Sequence, residues 1–237
     1  MYILTFSYSF GNSNIFYDFS KMFNDDIQMI PLDYPAHGRR MFEEPLFTVK
    51  DVVDDMFEQV KEYIYSEKPY CLMGYSMGGI IAYELYQKIA KQGLKLPHRI
   101  FIFATTAPDE PQEQRDYENY NLAQIKEELA EMDGTPQEIL DNDEYVEMLT
   151  PMVKADCIVL RDYKANEQES LKVECGVTVV RGNEEDKLEN CKSGWRRFIK
   201  KDFEYVETTG KHFFLFDNDG ERYQEFVKFI EERVRRM

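Results

Sequence analysis

The sequence predicts a single doubly wound α/β domain built on a mainly parallel sheet, and three observations predict it. Short apolar runs rich in β-branched and aromatic residues recur along the chain. Amphipathic helical patterns lie between them, and one long stretch, residues 108–169, breaks the alternation. Near-continuous apolar strands suit a sheet covered on both faces, and strand, helix, strand in alternation implies parallel pairing.

Taken in order, the first strand is "YILTF" (residues 2–6), followed by the polar loop "SYSFGNS". No basic segment precedes it, and no apolar run nears the roughly 20 residues of a membrane span. The expectation is a soluble, cytoplasmic chain with no membrane partner. "IQMIPL" (27–32) is the second strand and leads into "YPAHGRR". Val49, Val52, Val53, Met56, Val60, Tyr63 and Ile64 then recur at three- and four-residue steps, the signature of an amphipathic helix. The third strand is "YCLMGY" (70–75), and Ile80, Ile81, Leu85 and Ile89 mark the helix after it. "RIFIFA" (99–104), "VTVV" (177–180) and "FEYVET" (203–208) complete the set.

The interruption at 108–169 carries helical segments such as "LAQIKEELAEM" and "PQEILDNDEYVEML". Residues 109–147 hold 14 acidic side chains against Arg115 and Lys126, which is most of the excess behind the net charge of -16. An insertion at the carboxyl end of a parallel strand sits where ligands bind, so this segment reads as a lid over a site. At 237 residues, the chain is expected to form one domain, 1–237, including that lid. Its charge argues against nucleic acid, which needs a basic face. Four scattered cysteines without C-x-x-C spacing and three dispersed histidines predict reduced thiols and neither metal nor cofactor.

The chemistry centres on Gly74-Tyr75-Ser76-Met77-Gly78-Gly79, which places one serine between a strand and a helix. A hydroxyl at the tip of such a turn needs strained backbone and close packing that side chains at Gly74 and Gly78 would obstruct. Serine is a poor nucleophile alone and needs a histidine base oriented by a carboxylate. In sheets carrying this elbow the chain order is Ser, acid, His, and His212, directly after the last strand, fits. His98 precedes a strand and belongs at the opposite edge from Ser76. His37 lies in the loop after the second strand and can approach the site without joining a triad. The acid should leave the fifth strand in "NEEDKLEN", where Glu184, Glu185, Asp186 and Glu189 all qualify. The oxyanion hole needs backbone N–H groups from Met77 and from the loop after the first strand, at Ser9 or Phe10.

These residues resemble the type II thioesterase family, the stand-alone α/β-hydrolases that accompany nonribosomal peptide and polyketide synthases. The similarity covers nearly the whole chain. "FSYSFGNSNIFYDF" approximates the family's aromatic, proline and small residue before Gly-Gly-Ser-Ala; "YPAHGRR" resembles Pro-Gly-Arg-Gly-x-Arg; "GYSMGG" resembles Gly-His-Ser-Met-Gly-Gly. The phrase "GTPQEILDNDEYVEMLTPMVKADCIVLRDY" matches closely, as do "SGWRRF" and "GKHFFLF". Three residues depart from the pattern: Tyr75 replaces the usual His before the nucleophile, Phe10 stands where a glycine is general, and Lys211 replaces the glycine before the base.

The resemblance implies hydrolysis of an acyl thioester carried on the phosphopantetheine arm of an acyl or peptidyl carrier protein, by a monomer that needs no cofactor. The same triad also serves small-molecule esterases and acyl-CoA thioesterases, the alternative reading. Relatives place the acid three positions after the strand-ending glycine, which from Gly182 is Glu185; residue type and the apolar residue that follows favour Asp186, with Glu185 the alternative. Because carriers are acidic and this chain is too, docking requires a basic patch. Arg39, Arg40, Arg196, Arg197, Lys200 and Lys201 are the clustered candidates.

Overall fold

The computed structural model describes residues 1–131, 135–185, 191–216 and 220–235. Six strands, β1 (Tyr2–Phe6), β2 (Gln28–Leu32), β3 (Tyr70–Tyr75), β4 (Arg99–Phe103), β5 (Gly176–Gly182) and β6 (Phe203–Thr208), form one sheet in the order β2-β1-β3-β4-β5-β6. Every pairing is parallel. Pro31 lacks an N–H yet lies inside β2; it is tolerated because β2 is an edge strand with β1 as its one neighbour. Each predicted strand coincides with an observed one to within a few residues, since an apolar run bounded by turn residues has little freedom to slide when both faces are buried.

Alternate residues of a strand feed two cores. Leu72 and Tyr70 of β3 face the core built with the buried stripes of α2 (Val49–Tyr65), α3 (Met77–Lys91) and α7 (Cys191–Phe198). Cys71, Met73 and Tyr75 face the other, where Phe19 of the short α1 (Tyr17–Ser20) and Phe226 and Ile230 of α8 (Gly220–Val234) pack. The helices therefore cover both faces, which is why the strands carry so few polar residues. Strand order reverses about β1: the chain goes from β1 outward to β2, then back past β1 to β3. The loops after β1 and β3 thus diverge at the carboxyl edge, the place where open parallel sheets hold ligands.

Between β4 and β5 the chain leaves the sheet for a 3-10 turn (Tyr117–Asn119), α4 (Leu122–Glu131), α5 (Gln137–Leu140) and α6 (Asp143–Asp162), with no strand among the described residues of 108–169. Asn142 caps α6, its side chain accepting from the Glu144 and Tyr145 amides at 3.1 and 3.4 Å. These helices bury their own small core of Ile125, Leu129, Val146, Met152, Val153 and Cys157, and Ala36 and Phe10 from the sheet loops pack into it. The acidic surface is partly offset by local pairs: Arg115 binds Glu113 and Glu128, Arg161 binds Glu118, and Lys126 binds Asp143. No described helix is long and apolar enough to cross a membrane.

Candidate active site

Ser76 stands between β3 and α3 with φ 53° and ψ -117°, a conformation that costs a non-glycine residue on the order of 1–3 kcal/mol and persists only where its surroundings over-determine it. Those surroundings are specific. A Cβ on Gly74 would overlap the Gly78 carbonyl, one on Gly78 would overlap the Phe6 carbonyl at the end of β1, and one on Gly79 would strike the Thr105 hydroxyl. The three glycines let the first turn of α3 rest directly on the strand ends. Ser76 N–H donates to the Phe103 carbonyl at 2.8 Å, and the Thr105 hydroxyl lies 2.9 Å from the Ser76 carbonyl. Trp195, of the "SGWRRF" phrase, donates its indole N–H to the Thr105 carbonyl at 3.0 Å and so steadies that contact from behind.

His212 follows β6, and the loops after β5 and β6 are stitched together beside it. Asn183 N–H donates to the Thr208 carbonyl at 2.8 Å and Glu184 N–H to the Gly210 carbonyl at 3.1 Å. A side chain at Gly182 would collide with the Gly210 and Lys211 carbonyls, and Gly210 itself takes φ 116°, which a β-carbon would disfavour. This close approach carries Glu185 to His212, where Oε1 makes a short hydrogen bond with Nδ1. Glu185 is nearly buried, with its side chain 10% exposed, whereas His212 is 30% exposed. Asp186 lies outside the described residues. Tyr75, the departure from the family's histidine, donates its phenolic O–H to the His212 backbone carbonyl and stands edge-on to the imidazole. That role was not legible in the sequence, because it depends on two residues 137 apart meeting across the sheet.

Ser76, Glu185 and His212 share one cavity of about 600 Å³, lined also by residues of the 108–169 insertion, among them Tyr117, Cys157 and Leu160. Burial pushes the Cys157 thiol well above its ordinary pKa, so it stays protonated and offers no rival nucleophile. Met77 provides the first amide of α3, which has no acceptor within the helix. Ser9 and Phe10 also line the cavity, but Phe10 donates its N–H to Asp156 Oδ2 at 2.7 Å. Of the two loop amides, this leaves Ser9 free of a partner among the described residues. Phe10 takes φ 66°, the left-handed region in which glycine costs nothing.

The other histidines lie elsewhere. His98 precedes β4 at the amino edge of the sheet, away from Ser76. His37 is 3% exposed beneath the lid and pairs with Asp156. The basic residues split by position. Arg40 is clamped by Glu43 and Asp55, while Arg39 reaches Asp33 and keeps 76% of its side chain exposed at the carboxyl edge. Arg196 ends α7 and Lys200 and Lys201 precede β6, so these three belong to the amino edge, opposite the cavity, whereas Arg197 pairs with Asp109, in the loop after β4, and with Glu167. A second cleft of about 540 Å³, between α2, α3 and residues 163–170, contains neither Ser76 nor His212.

A family model described as Thioesterase domain matches residues 2–234. The chain is 28% identical over 229 residues to the gramicidin S biosynthesis protein GrsT of Aneurinibacillus migulanus, spanning 96% of this chain and 86% of that protein. It is 24% identical over 223 residues to the medium-chain S-acyl fatty acid synthase thioesterase of Homo sapiens, spanning 93% of this chain and 83% of that protein. Among solved structures, ClbQ from the colibactin NRPS/PKS pathway superposes with a TM-score of 0.86 at 22% identity, over 98% of this chain and 96% of that one.

Proposed function

The chain belongs to the thioesterase family, and from that membership we propose that it hydrolyses acyl thioesters held on the phosphopantetheine arm of carrier proteins, using Ser76, His212 and Glu185. One observation carries the reading: a strained serine at the carboxyl edge shares a cavity with a histidine whose Nδ1 is already taken by a nearly buried carboxylate. With Nδ1 so engaged, Nε2 is the nitrogen left for the Ser76 hydroxyl. The relatives, a gramicidin S biosynthesis protein and an S-acyl fatty acid synthase thioesterase, favour a thioester tethered to a synthase.

In the first half-reaction Ser76 Oγ attacks the thioester carbonyl as His212 takes its proton. The tetrahedral oxyanion is met by the N–H groups of Met77 and Ser9. Collapse breaks the C–S bond, and His212 returns the proton to the departing pantetheine thiol. Water then attacks the acyl-serine with His212 again as base, releasing the free acid and regenerating Ser76. Glu185 holds the ring and stabilises the imidazolium in both halves. The insertion contributes Tyr117, Cys157, Leu160 and Tyr163 as the apolar part of a lining that also carries Glu113, Arg115, Glu128, Glu131 and Arg161, and the acyl chain would lie against the apolar part.

Hydrolysis rates on a panel of acylated carrier proteins, set against the matching acyl-CoA compounds, test the substrate class. A carrier-dependent enzyme shows a higher kcat/KM for the carrier-bound chain than for the same chain on CoA. Equal values for both, or a preference for CoA, would make it an acyl-CoA thioesterase with the same triad.

A further inference from the structure

Beneath the lid lies a buried ionic pair that the hydrolytic steps leave without a task. Asp156, on α6, and His37, in the loop after β2, are 4% and 3% exposed. One carboxylate oxygen, Asp156 Oδ2, accepts from Phe10 N–H at 2.7 Å and lies 2.9 Å from His37 Nε2. The other ring nitrogen, Nδ1, lies 2.9 Å from the Pro35 carbonyl. A carbonyl can only accept, so Nδ1 carries a hydrogen; with a carboxylate opposite Nε2, a second hydrogen there makes the ring an imidazolium.

We propose that Asp156 and His37 are a positioning pair: Asp156 fixes the Ser9–Phe10 peptide beside Ser76, and His37 neutralises the carboxylate that does so, which ties oxyanion stabilisation to the seating of the lid. The proposal rests on Ser9 as the second oxyanion donor, as assigned above. Two physical arguments support it. Phe10 holds a left-handed backbone at φ 66° in spite of its side chain, so the loop needs outside contacts to keep that shape. It receives two, the apolar seat in the lid core and a charge-assisted hydrogen bond to Asp156. Secondly, an uncompensated buried carboxylate next to an oxyanion site would oppose the negative charge that develops there. His37 removes that opposition.

The groups facing His37 are Asp156 from α6 and, from its own loop, Asp33 and Tyr34, whose ring stands edge-on at 5.3 Å. Ser13 and Arg39 engage Asp33 in turn. Burial works against the charge on His37, but the charge and hydrogen bond of Asp156 prevail and raise its pKa above the ordinary value. Deprotonation at alkaline pH therefore leaves Asp156 unneutralised, and the rate should fall there.

The test measures kcat and KM on a small acyl thioester from pH 6 to 9 for the wild type, His37→Gln and His37→Arg, with fluorophosphonate labelling of Ser76 in parallel. His37→Gln should lower kcat about tenfold with little change in KM, a fraction of the 10²–10³-fold carried by one oxyanion donor. His37→Arg, with a permanent charge, should restore most of kcat and abolish the alkaline fall. A kcat for His37→Gln within about twofold of wild type, or His37→Arg as impaired as His37→Gln at every pH, would overturn the pairing. Should His37→Gln not fold, His37→Arg decides alone: loss of the alkaline fall supports the proposal and its persistence contradicts it. Failure of the wild type to label at Ser76 would instead remove the serine-hydrolase reading beneath both.

Discussion

Glu185 precedes by one position the aspartate that residue type alone would favour; Glu185 is the carboxylate that meets His212 Nδ1, and Asp186 lies outside the described residues. The stitching of Asn183 to Thr208 and Glu184 to Gly210 sets where the Glu185 side chain leaves the backbone and presents it to His212 Nδ1. The family's spacing from Gly182 indicates Glu185 and the preference for a shorter carboxylate indicates Asp186; the choice turns on the backbone path of the loop, which neither pattern encodes. Glu185→Gln should lower turnover by roughly 10³–10⁴-fold, the cost of losing the group that fixes the tautomer, while Asp186→Asn retains most of it. Steady-state rates on an acyl thioester rank the two, and the opposite order would assign the acid to Asp186. Tyr75 offers a second check. Tyr75→Phe deletes the O–H that the His212 carbonyl accepts, so it should destabilise the protein by about 1–3 kcal/mol and slow turnover by loosening the base. Denaturant unfolding read beside kcat tests this, and a variant equal to wild type in both would show that the histidine loop holds itself.

At the level of elements, the strands and the elbow were readable because burial on both faces forces an unbroken apolar pattern, and because three glycines in six residues have few other uses beside a serine. The insertion at 108–169 was readable as acidic and helical, but its attachment to the loops of the sheet was not. Its anchor joins Phe10 to Asp156 across 146 positions and His37 to Asp156 across 119, and no local pattern announces such contacts. The anchor lies on α6, whereas α4 packs mainly on α6 itself. Amide exchange should therefore be faster in α4 than in the second half of α6, slowest in β3, and retarded in α4 by a bound acyl analogue. Uniform protection across the three would contradict an anchored lid with a looser outer helix. The anchor also has a pH signature. His37 is raised in the folded state, so the stability it contributes is present below its ordinary value of about 6.5 and is lost as pH rises through the raised one. The melting temperature of the wild type should decline above neutral pH more steeply than that of His37→Arg. Parallel curves for the two proteins would mean that His37 does not titrate in that window.

For the whole molecule, a net charge of -16 opposes docking of an acidic carrier, the partner proposed above, so such docking requires a face that is locally basic or apolar. Sequence clustering nominated six basic residues. The topology separates them, leaving exposed Arg39 at the cavity's edge of the sheet and placing Arg196, Lys200 and Lys201 at the far edge, with Arg197 held by Asp109 and Glu167. Arg40, held by Glu43 and Asp55, serves the fold. Reversal of Arg39 to Glu should raise KM for an acylated carrier but not for a small acyl thioester, and reversal of Lys200 and Lys201 should change neither. Equal effects of Arg39→Glu on both substrates would place its role inside the protein.

In the proposed reaction Ser76 carries the acyl group from a tethered thioester to water. Mass spectrometry of an acylated carrier incubated with the wild type or with Ser76→Ala tests it most directly. The wild type should convert the acyl-carrier to free acid and the thiol form of the carrier, and Ser76→Ala, correctly folded, should be slower by on the order of 10³-fold or more. Release by Ser76→Ala within a few-fold of the wild-type rate would contradict it.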